Sequence, residues 1–368
     1  MRGKKDITRR QFLKGAGAAA MGAAAMGLLG GCSSGAEKAA VAGGGDGPAE
    51  TAAPGETRRS VLAFASDQHA ETPGFAAWLA DQKAVYGEDL VHLSFAGDIC
   101  DKTWVPEVFE GFRAVLEGQM PGQYHVTTGN QENKPGAPGA AGWDDLGPGF
   151  VRLGEAVRTP DYIVYHFGAA QEAMIFPPED IQALADYLDT APRNIPVFVA
   201  SHFPLHLSVP YSYHDIPGGY RQTVGNDALA EVLNKHPNVI FLWGHNHTFQ
   251  DPRYGTIRPA GAKFTWDISD TTKKLTTNFV YANLGSFCRG DTYGAIAEVE
   301  RDGGTVTVKL YYVDTDVPMD RKESAVITYA EDGAVTCDVT AAPEGAINFL
   351  DMFYLAGWYD DPTFMEDY

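Results

Sequence analysis

Five short strand-like runs recur along the first two thirds of the chain, and each gives way to a small residue followed by side chains able to bind a cation. Val239 to Trp243 (VIFLW) is rich in β-branched and aromatic residues without polar alternation, the pattern of a strand buried on both faces. Arg58 to Ala65, Asp89 to Ala96, Gln123 to Thr128 and Ile195 to Ala200 predict four more strands. Between them, Phe75 to Tyr86, Val105 to Glu117, Pro178 to Asp189 and Asp227 to Lys235 space their apolar residues as amphipathic helices do. This alternation gives an α/β class and no more. Tyr162 to Phe167 and Glu172 to Phe176 read as strands paired across Gly168-Ala169-Ala170. The Gly/Pro-rich stretch Lys134 to Gly149 reads as a long surface loop that, with Leu207 to Thr223, could line a cleft. Further on, Thr256 to Pro259 and Phe279 to Leu284 predict strands. Ala295 to Glu300 and Thr305 to Val313 predict a hairpin through Asp302-Gly303-Gly304, and Val326 to Tyr329 with Val335 to Val339 predict another. The stretch Asn348 to Tyr368 is acidic and aromatic.

The start of the chain belongs to targeting rather than to the fold. Thr8-Arg9-Arg10-Gln11-Phe12-Leu13-Lys14, followed by a mild Ala/Gly/Met/Leu stretch, resembles the twin-arginine export signal of bacteria. Leu29-Gly30-Gly31-Cys32 resembles a lipobox, which makes Cys32 the expected lipidation site and the cell membrane the expected anchor. Ser33 to about Glu56 is Ala, Gly, Pro and Ser with scattered charge, a composition that cannot bury enough surface to fold. The expected organisation is a signal peptide at 1–32, a tether at 33–57, a catalytic domain at 58–315 and a C-terminal extension at 316–368.

Charge then narrows the partners. The 368 residues hold 28 basic and 48 acidic side chains, a formal charge of −20; without the first 31 residues the balance is 22 against 47, or −25. Such a field argues against nucleic acid as a partner. A small phosphorylated substrate remains compatible if bound cations supply local positive charge. With Cys32 acylated, Cys100, Cys288 and Cys337 remain, too few for a disulfide framework although one bridge is open.

The residues after the five strands share one chemistry. They read Asp67-Gln68-His69, Gly97-Asp98-Ile99-Cys100-Asp101, Gly129-Asn130-Gln131-Glu132, Ser201-His202 and Gly244-His245-Asn246-His247. Carboxylate, amide and imidazole donors without thiolate suit Zn, Mn or Fe. In type and order these motifs resemble the calcineurin-like metallophosphoesterases, whose signature runs DxH, GDxxD, GNHE, a lone His and GHxH. The resemblance is close from about Val61 to His247 and looser beyond, where Asn283-Leu284-Gly285-Ser286 is similar to the family's return strand toward the metal face.

The resemblance implies a four-layer α/β/β/α sandwich of two mixed β-sheets flanked by helices. It implies two divalent metal ions, one held by Asp67, His69 and His247, the other by Asn130, His202 and His245, with Asp98 bridging. It implies hydrolysis of a phosphomonoester or phosphodiester by a metal-activated hydroxide, outside the cytoplasmic membrane, with Asp98, His202 and Gln131 as the catalytic set. Asp101 would orient a ligand, and Cys100 would fill a buried gap. One departure weakens catalysis: Gln131 stands where the family has histidine. Glutamine can hydrogen-bond a phosphoryl oxygen but cannot give a proton. His125 and His206 are alternative donors, though strand and loop histidines such as these, and His92, His166, His214 and His236, more often only pack. The alternative function is a surface lipoprotein that binds metal or a phosphate ligand without turnover.

Overall fold

Strand β1 (Thr57–Ala65) shows why the fold is layered, because successive side chains leave a strand on opposite faces. Leu62 and Phe64 enter one apolar core, while Val61, Ala63 and Ala65 enter another. A strand buried on both sides needs cover on both. The computed structural model describes residues 57–205, 214–216, 219–221, 224–245, 247, 257–265, 274–288, 292–314 and 324–339, all within the unit Ala49–Tyr368. The export signal, the lipobox, the tether up to residue 56, most of Leu207 to Thr223 and the aromatic tail lie outside the described residues, while Thr57, the last tether residue expected, opens β1.

After β1 come α1 (Thr72–Tyr86), β2 (Leu90–Ala96), α2 (Pro106–Gln119), β3 (Tyr124–Thr127), the short helix α3 (Gly139–Gly142), β4 (Leu153–Arg158), β5 (Ile163–Phe167), α4 (Pro178–Thr190) and β6 (Val197–Ser201). A small ribbon of β7 (His214–Ile216) and β8 (Gly219–Arg221) precedes α5 (Asn226–Asn234) and β9 (Val239–Trp243). Then follow β10 (Ile257–Arg258), a second ribbon of β11 (Lys263–Thr265) and β12 (Lys274–Thr276), β13 (Val280–Asn283), β14 (Gly285–Ser286), β15 (Tyr293–Asp302), β16 (Thr305–Asp314), β17 (Ser324–Tyr329) and β18 (Val335–Val339).

Two mixed sheets result. The larger runs β18-β17-β16-β15-β1-β2-β3 with β14 beside β15; the smaller runs β10-β13-β9-β6-β5-β4. Their inner faces share a core in which Phe64 of β1 meets Phe198 of β6 at 5.2 Å between ring centroids. Helices α4 and α5 join that core through Ile181, Leu184, Leu188, Leu229 and Leu233, while α1 and α2 cover the far face of the larger sheet through Phe75, Trp78, Phe109 and Phe112. This is the four-layer α/β/β/α sandwich expected.

Two local expectations differ. β5 does not pair with Glu172 to Phe176. It pairs antiparallel with β4, through a turn in which Thr159 Oγ1 accepts the Asp161 and Tyr162 N–H groups, and parallel with β6. The β4 sequence LGEAVR carries Gly, Glu and Arg and is only partly buried, as an edge strand can be, so its pattern is faint. In the Glu172 to Phe176 stretch, Met174 and Phe176 are buried in the core, and the backbone makes a single bridge, Ile175 to Val224. The Lys134 to Gly149 stretch is not a plain surface loop either: it contains α3, and Trp143 is fully buried with its Nε1–H donating to Val126 O at 2.9 Å.

Asp161 ties the two sheets at one end. It accepts from Arg301 Nε on β15 and from Arg58 Nη2 on β1 at 3.2 Å, and Arg301 Nη2 donates to Pro160 O at 2.7 Å. Removing the carboxylate strands two cations in a mostly buried place. Asp161→Ala is expected to destabilise the fold by about 2 to 3 kcal/mol, discounted from a fully buried pair, and a denaturant titration measures it. A loss below about 0.5 kcal/mol would show that water serves the arginines equally well.

Candidate metal centre

Parallel pairing delivers the ligand-type residues to one edge. β1, β2 and β3 run parallel in one sheet, and β6 and β9 run parallel in the other. Asp67 and His69 follow β1, Asp98 follows β2, Asn130 follows β3, His202 follows β6, and His245 and His247 follow β9. The exits are stitched together: Asp67 N–H donates to Gly97 O (3.0 Å), His69 N–H to Asp98 O (3.0 Å) and Gly244 N–H to His202 O (3.0 Å). Across the sheets, His245 N–H donates to Asp67 Oδ2 at 2.8 Å.

The backbone is held against its preference there. Among the described residues seven non-glycines have positive φ, and five of them are Asp67 (54°), His69 (44°), Asp98 (58°), His245 (72°) and His247 (46°). Each such residue costs on the order of 1 to 3 kcal/mol and persists only where its surroundings over-determine it. Two glycines let the carboxylates approach. A Cβ on Gly129 would lie 2.2 Å from Asp98 Oδ1, and one on Gly244 would lie 2.6 Å from Asp67 Oδ2.

The side chains form two clusters with one member in common. His69 Nε2 lies 3.7 Å from Asp67 Oδ1 and 3.4 Å from Asp98 Oδ2, and His247 Nε2 lies 3.1 Å from Asp67 Oδ1. On the other side, His202 Nε2 lies 3.4 Å from Asp98 Oδ2, 2.9 Å from Asn130 Oδ1 and 3.2 Å from His245 Nδ1, which is itself 2.9 Å from Asn130 Oδ1. All seven residues named from the sequence as ligands are thus in one place. His202 Nδ1 faces the Ala96 carbonyl at 2.8 Å and so carries its proton, leaving Nε2 for the cluster. Asp101 Oδ1, 3.3 Å from His69 Nδ1, orients that ring in the same way.

The electrostatics call for a cation. Asp67 Oδ1, His69 Nε2 and His247 Nδ1 are buried without a hydrogen-bond partner. Burial disfavours charge on these groups, yet each sign holds the other in place. Against burial, Asp67 and Asp98 push the His69 imidazole up to about 11, Asp98 chiefly pushes His202 up to about 9, and Asp67 pushes His247 up to about 9. The imidazoles in turn outweigh burial and hold both carboxyls below their ordinary range. His245 is the exception, pushed down to about 3 by burial and by His202. Buried acceptors with protons wedged between them are a set that fits divalent cations, which replace those protons on binding. With carboxylate, amide and imidazole donors, that set suits Zn, Mn or Fe.

Gln131 is beside this set: its backbone N–H donates to Asp98 Oδ1 at 2.9 Å, and its buried Oε1 has no partner. No ligand or catalytic role for Glu132 follows from the sequence pattern. It is fully buried and accepts the N–H groups of Asp98, Ile99 and Gly129 at 2.8, 2.8 and 2.7 Å, so it pins two strand exits together. Burial and then the Asp98 charge push its carboxyl up to about 7 against those donors. His125 packs against His92 and His166, ring centroids 5.2 and 5.9 Å away, and His166 Nε2 bonds Ser94 Oγ at 2.7 Å. His206 lies outside the described residues. Cys100, Cys288 and Cys337 are all free thiols.

The twin-arginine translocation pathway signal sequence family matches residues 6–27. A signal of this kind directs export by the twin-arginine machinery across the cytoplasmic membrane. No curated protein matches the chain. Among solved structures it is similar to protein TT1561 of Thermus thermophilus (TM-score 0.38, 11% identity, 65% of this chain and 94% of that one). It is also similar to the NAD nucleotidase of Haemophilus influenzae (0.39, 10%, 77% and 49%). A third is a 5'-nucleotidase precursor of Thermus thermophilus (0.39, 13%, 82% and 59%). The chain therefore spans 49% and 59% of the length of the last two.

Proton displacement predicts how cation binding responds to pH. His69, His202 and His247 hold their protons to about 11, 9 and 9, so between pH 6 and 8 each must release one as a cation binds. Apparent affinity for zinc or manganese should rise by about tenfold per pH unit for each proton released. Calorimetry in buffers of different ionisation enthalpy measures that release, and affinity that is flat across this range would contradict the arrangement.

Proposed function

We propose that the protein is an exported metallophosphoesterase that hydrolyses a phosphomonoester or phosphodiester. The observation that carries this reading is the pair of donor clusters sharing Asp98. Asp67, His69, Asp98 and His247 bring their ligand atoms within 4.8 Å of one another, and so do Asp98, His202 and His245. Asp67, His69 and His247 would hold one divalent cation, Asn130, His202 and His245 a second, and Asp98 both. Such a pair supplies Lewis acidity, neutralising phosphoryl charge and lowering the pKa of a bound water.

The chain's own groups do the rest. The Ala96 carbonyl and the Asp101 carboxylate set the tautomers of His202 and His69. Gln131 can donate an amide N–H to a phosphoryl oxygen but has no proton to give a departing alkoxide. Lack of a general acid costs on the order of 10²- to 10⁴-fold, so the preferred substrate has a leaving group stable as an anion. The acidic chain supports this reading too, since an anionic substrate would be drawn to the cation pair and not to the protein surface. A second reading, binding of metal or a phosphate ligand without turnover, is favoured by Gln131 alone. In either reading Cys32 is acylated and the domain sits outside the cytoplasmic membrane, supported by Leu29-Gly30-Gly31-Cys32 directly after the export signal.

Supplied with Mn or Zn, the protein is expected to hydrolyse p-nitrophenyl phosphate or its bis ester. Asp98→Ala should lower turnover by at least about 10³-fold. Gln131→His should raise it, by about 10- to 10²-fold on an alkyl ester and less on a p-nitrophenyl ester, whose leaving group needs no proton. Activity seen only in Gln131→His, with two ions bound per wild-type chain, would favour the binding reading. In cells, Cys32→Ser should move the protein from the membrane to the soluble extracytoplasmic fraction, and an unchanged membrane pool would argue against acylation.

A further inference from the structure

We infer that Cys288 is a thiolate ligand of the cation held by Asp67, His69 and His247, giving that position a sulfur donor that its neighbour lacks. The inference rests on the metal-centre reading and adds a residue outside the five strand-end motifs. Cys288 Sγ forms a group with His69 and His247 whose ligand atoms all lie within 4.8 Å of one another. A cation bonded at about 2.0 Å to nitrogen and about 2.3 Å to sulfur keeps its donors roughly 3 to 4.5 Å apart, so the three can meet one ion.

The chain holds the thiol there firmly. Leu284 N–H donates to Trp243 O at 2.7 Å, Ser66 Oγ donates to Gly285 O at 2.8 Å, and Phe287 N–H donates to Asp67 O at 3.1 Å. These bonds lay residues 284–287 across the exits of β1 and β9. Phe287 turns into the outer core between Phe75 and Trp78, each 5.4 Å away between ring centroids. Cys288, with its N–H donating to Ser286 Oγ at 3.2 Å, is 4% exposed. Independently of the thiol, Asp67 Oδ1, His69 Nε2 and His247 Nδ1 are buried and unpartnered in the same place.

A disulfide is not a competing role. Cys337 sits on the edge strand β18, with β17 and β16 between it and β15, the strand that β14 pairs with, and Cys100 Sγ is engaged with Val105 O at 3.7 Å. On binding, the thiol releases its proton to solvent and the sulfur lone pair forms the metal bond. One position then has oxygen, nitrogen and sulfur donors and the other only oxygen and nitrogen. Softness should bias the first toward zinc or ferrous iron over manganese or magnesium.

Cobalt(II) loaded into the purified full-length protein is the test, read by absorption rather than turnover. The expected result is a sulfur-to-cobalt charge-transfer band in the near ultraviolet that disappears in Cys288→Ser and survives in Cys100→Ser. Zinc affinity at one of two positions should fall by at least about tenfold in Cys288→Ser. Cobalt bound with d–d absorption but no charge-transfer band in wild type would overturn the thiolate and leave the metal centre standing; no bound cobalt would overturn both. Should Cys288→Ser fail to fold, X-ray absorption of the zinc-loaded wild type decides, through a sulfur neighbour at about 2.3 Å or its absence.

Discussion

A carboxylate that is 1% exposed must be met by positive charge or surrender its own, and in this chain Asp98 is met from both sheets at once. His69, from the end of β1, approaches one oxygen at 3.4 Å, and His202, from the end of β6 in the facing sheet, approaches the same oxygen at 3.4 Å. The other oxygen accepts the Gln131 N–H at 2.9 Å. The groups around this residue hold it in place. Glu132 gathers the N–H groups on either side, and Gly129 leaves out the Cβ that would collide with it. The two donor clusters follow, since both are built on that one side chain.

The layered fold is what makes such a place affordable. Two sheets packed face to face hide a large apolar core, and strands that run parallel within each sheet stop at a common edge where no further apolar cover is needed. Polar residues gather there because the strands end there. The left-handed turns at Asp67, His69, Asp98, His245 and His247 follow from the same geometry. A chain leaving a strand and reversing its side chain toward the neighbouring exit has few conformations open to it, and the core's burial energy outweighs the cost of the strained ones.

The site as a whole is a balance of charges in a protein with a formal charge of −20. Carboxylates hold protons on three imidazoles, the imidazoles hold the carboxylates ionised, and a divalent cation can take over that work on either side. Gln131 sits within this balance as a neutral group, able to donate a hydrogen bond but not to move a proton.

Elements whose pattern is driven by burial can be read from the residues alone. Runs such as VIFLW and SVLAFA read as strands because their β-branched and aromatic residues form short, nearly unbroken apolar stretches, and the residues that end them were legible because they break that pattern. The seven ligand-type residues were readable for that reason, each close in sequence to its strand. Tertiary structure alone decided what depends on contacts distant in the chain. β4 has too little burial to leave a pattern, so its pairing with β5 is set by the sheet, and Trp143 anchors a segment whose Gly/Pro content reads as loop. Glu132 and Cys288 show the same limit. A lone acidic residue or thiol has no periodicity, and their places became visible only once β2 met β3, and residues 284–288 were laid across the ends of β1 and β9.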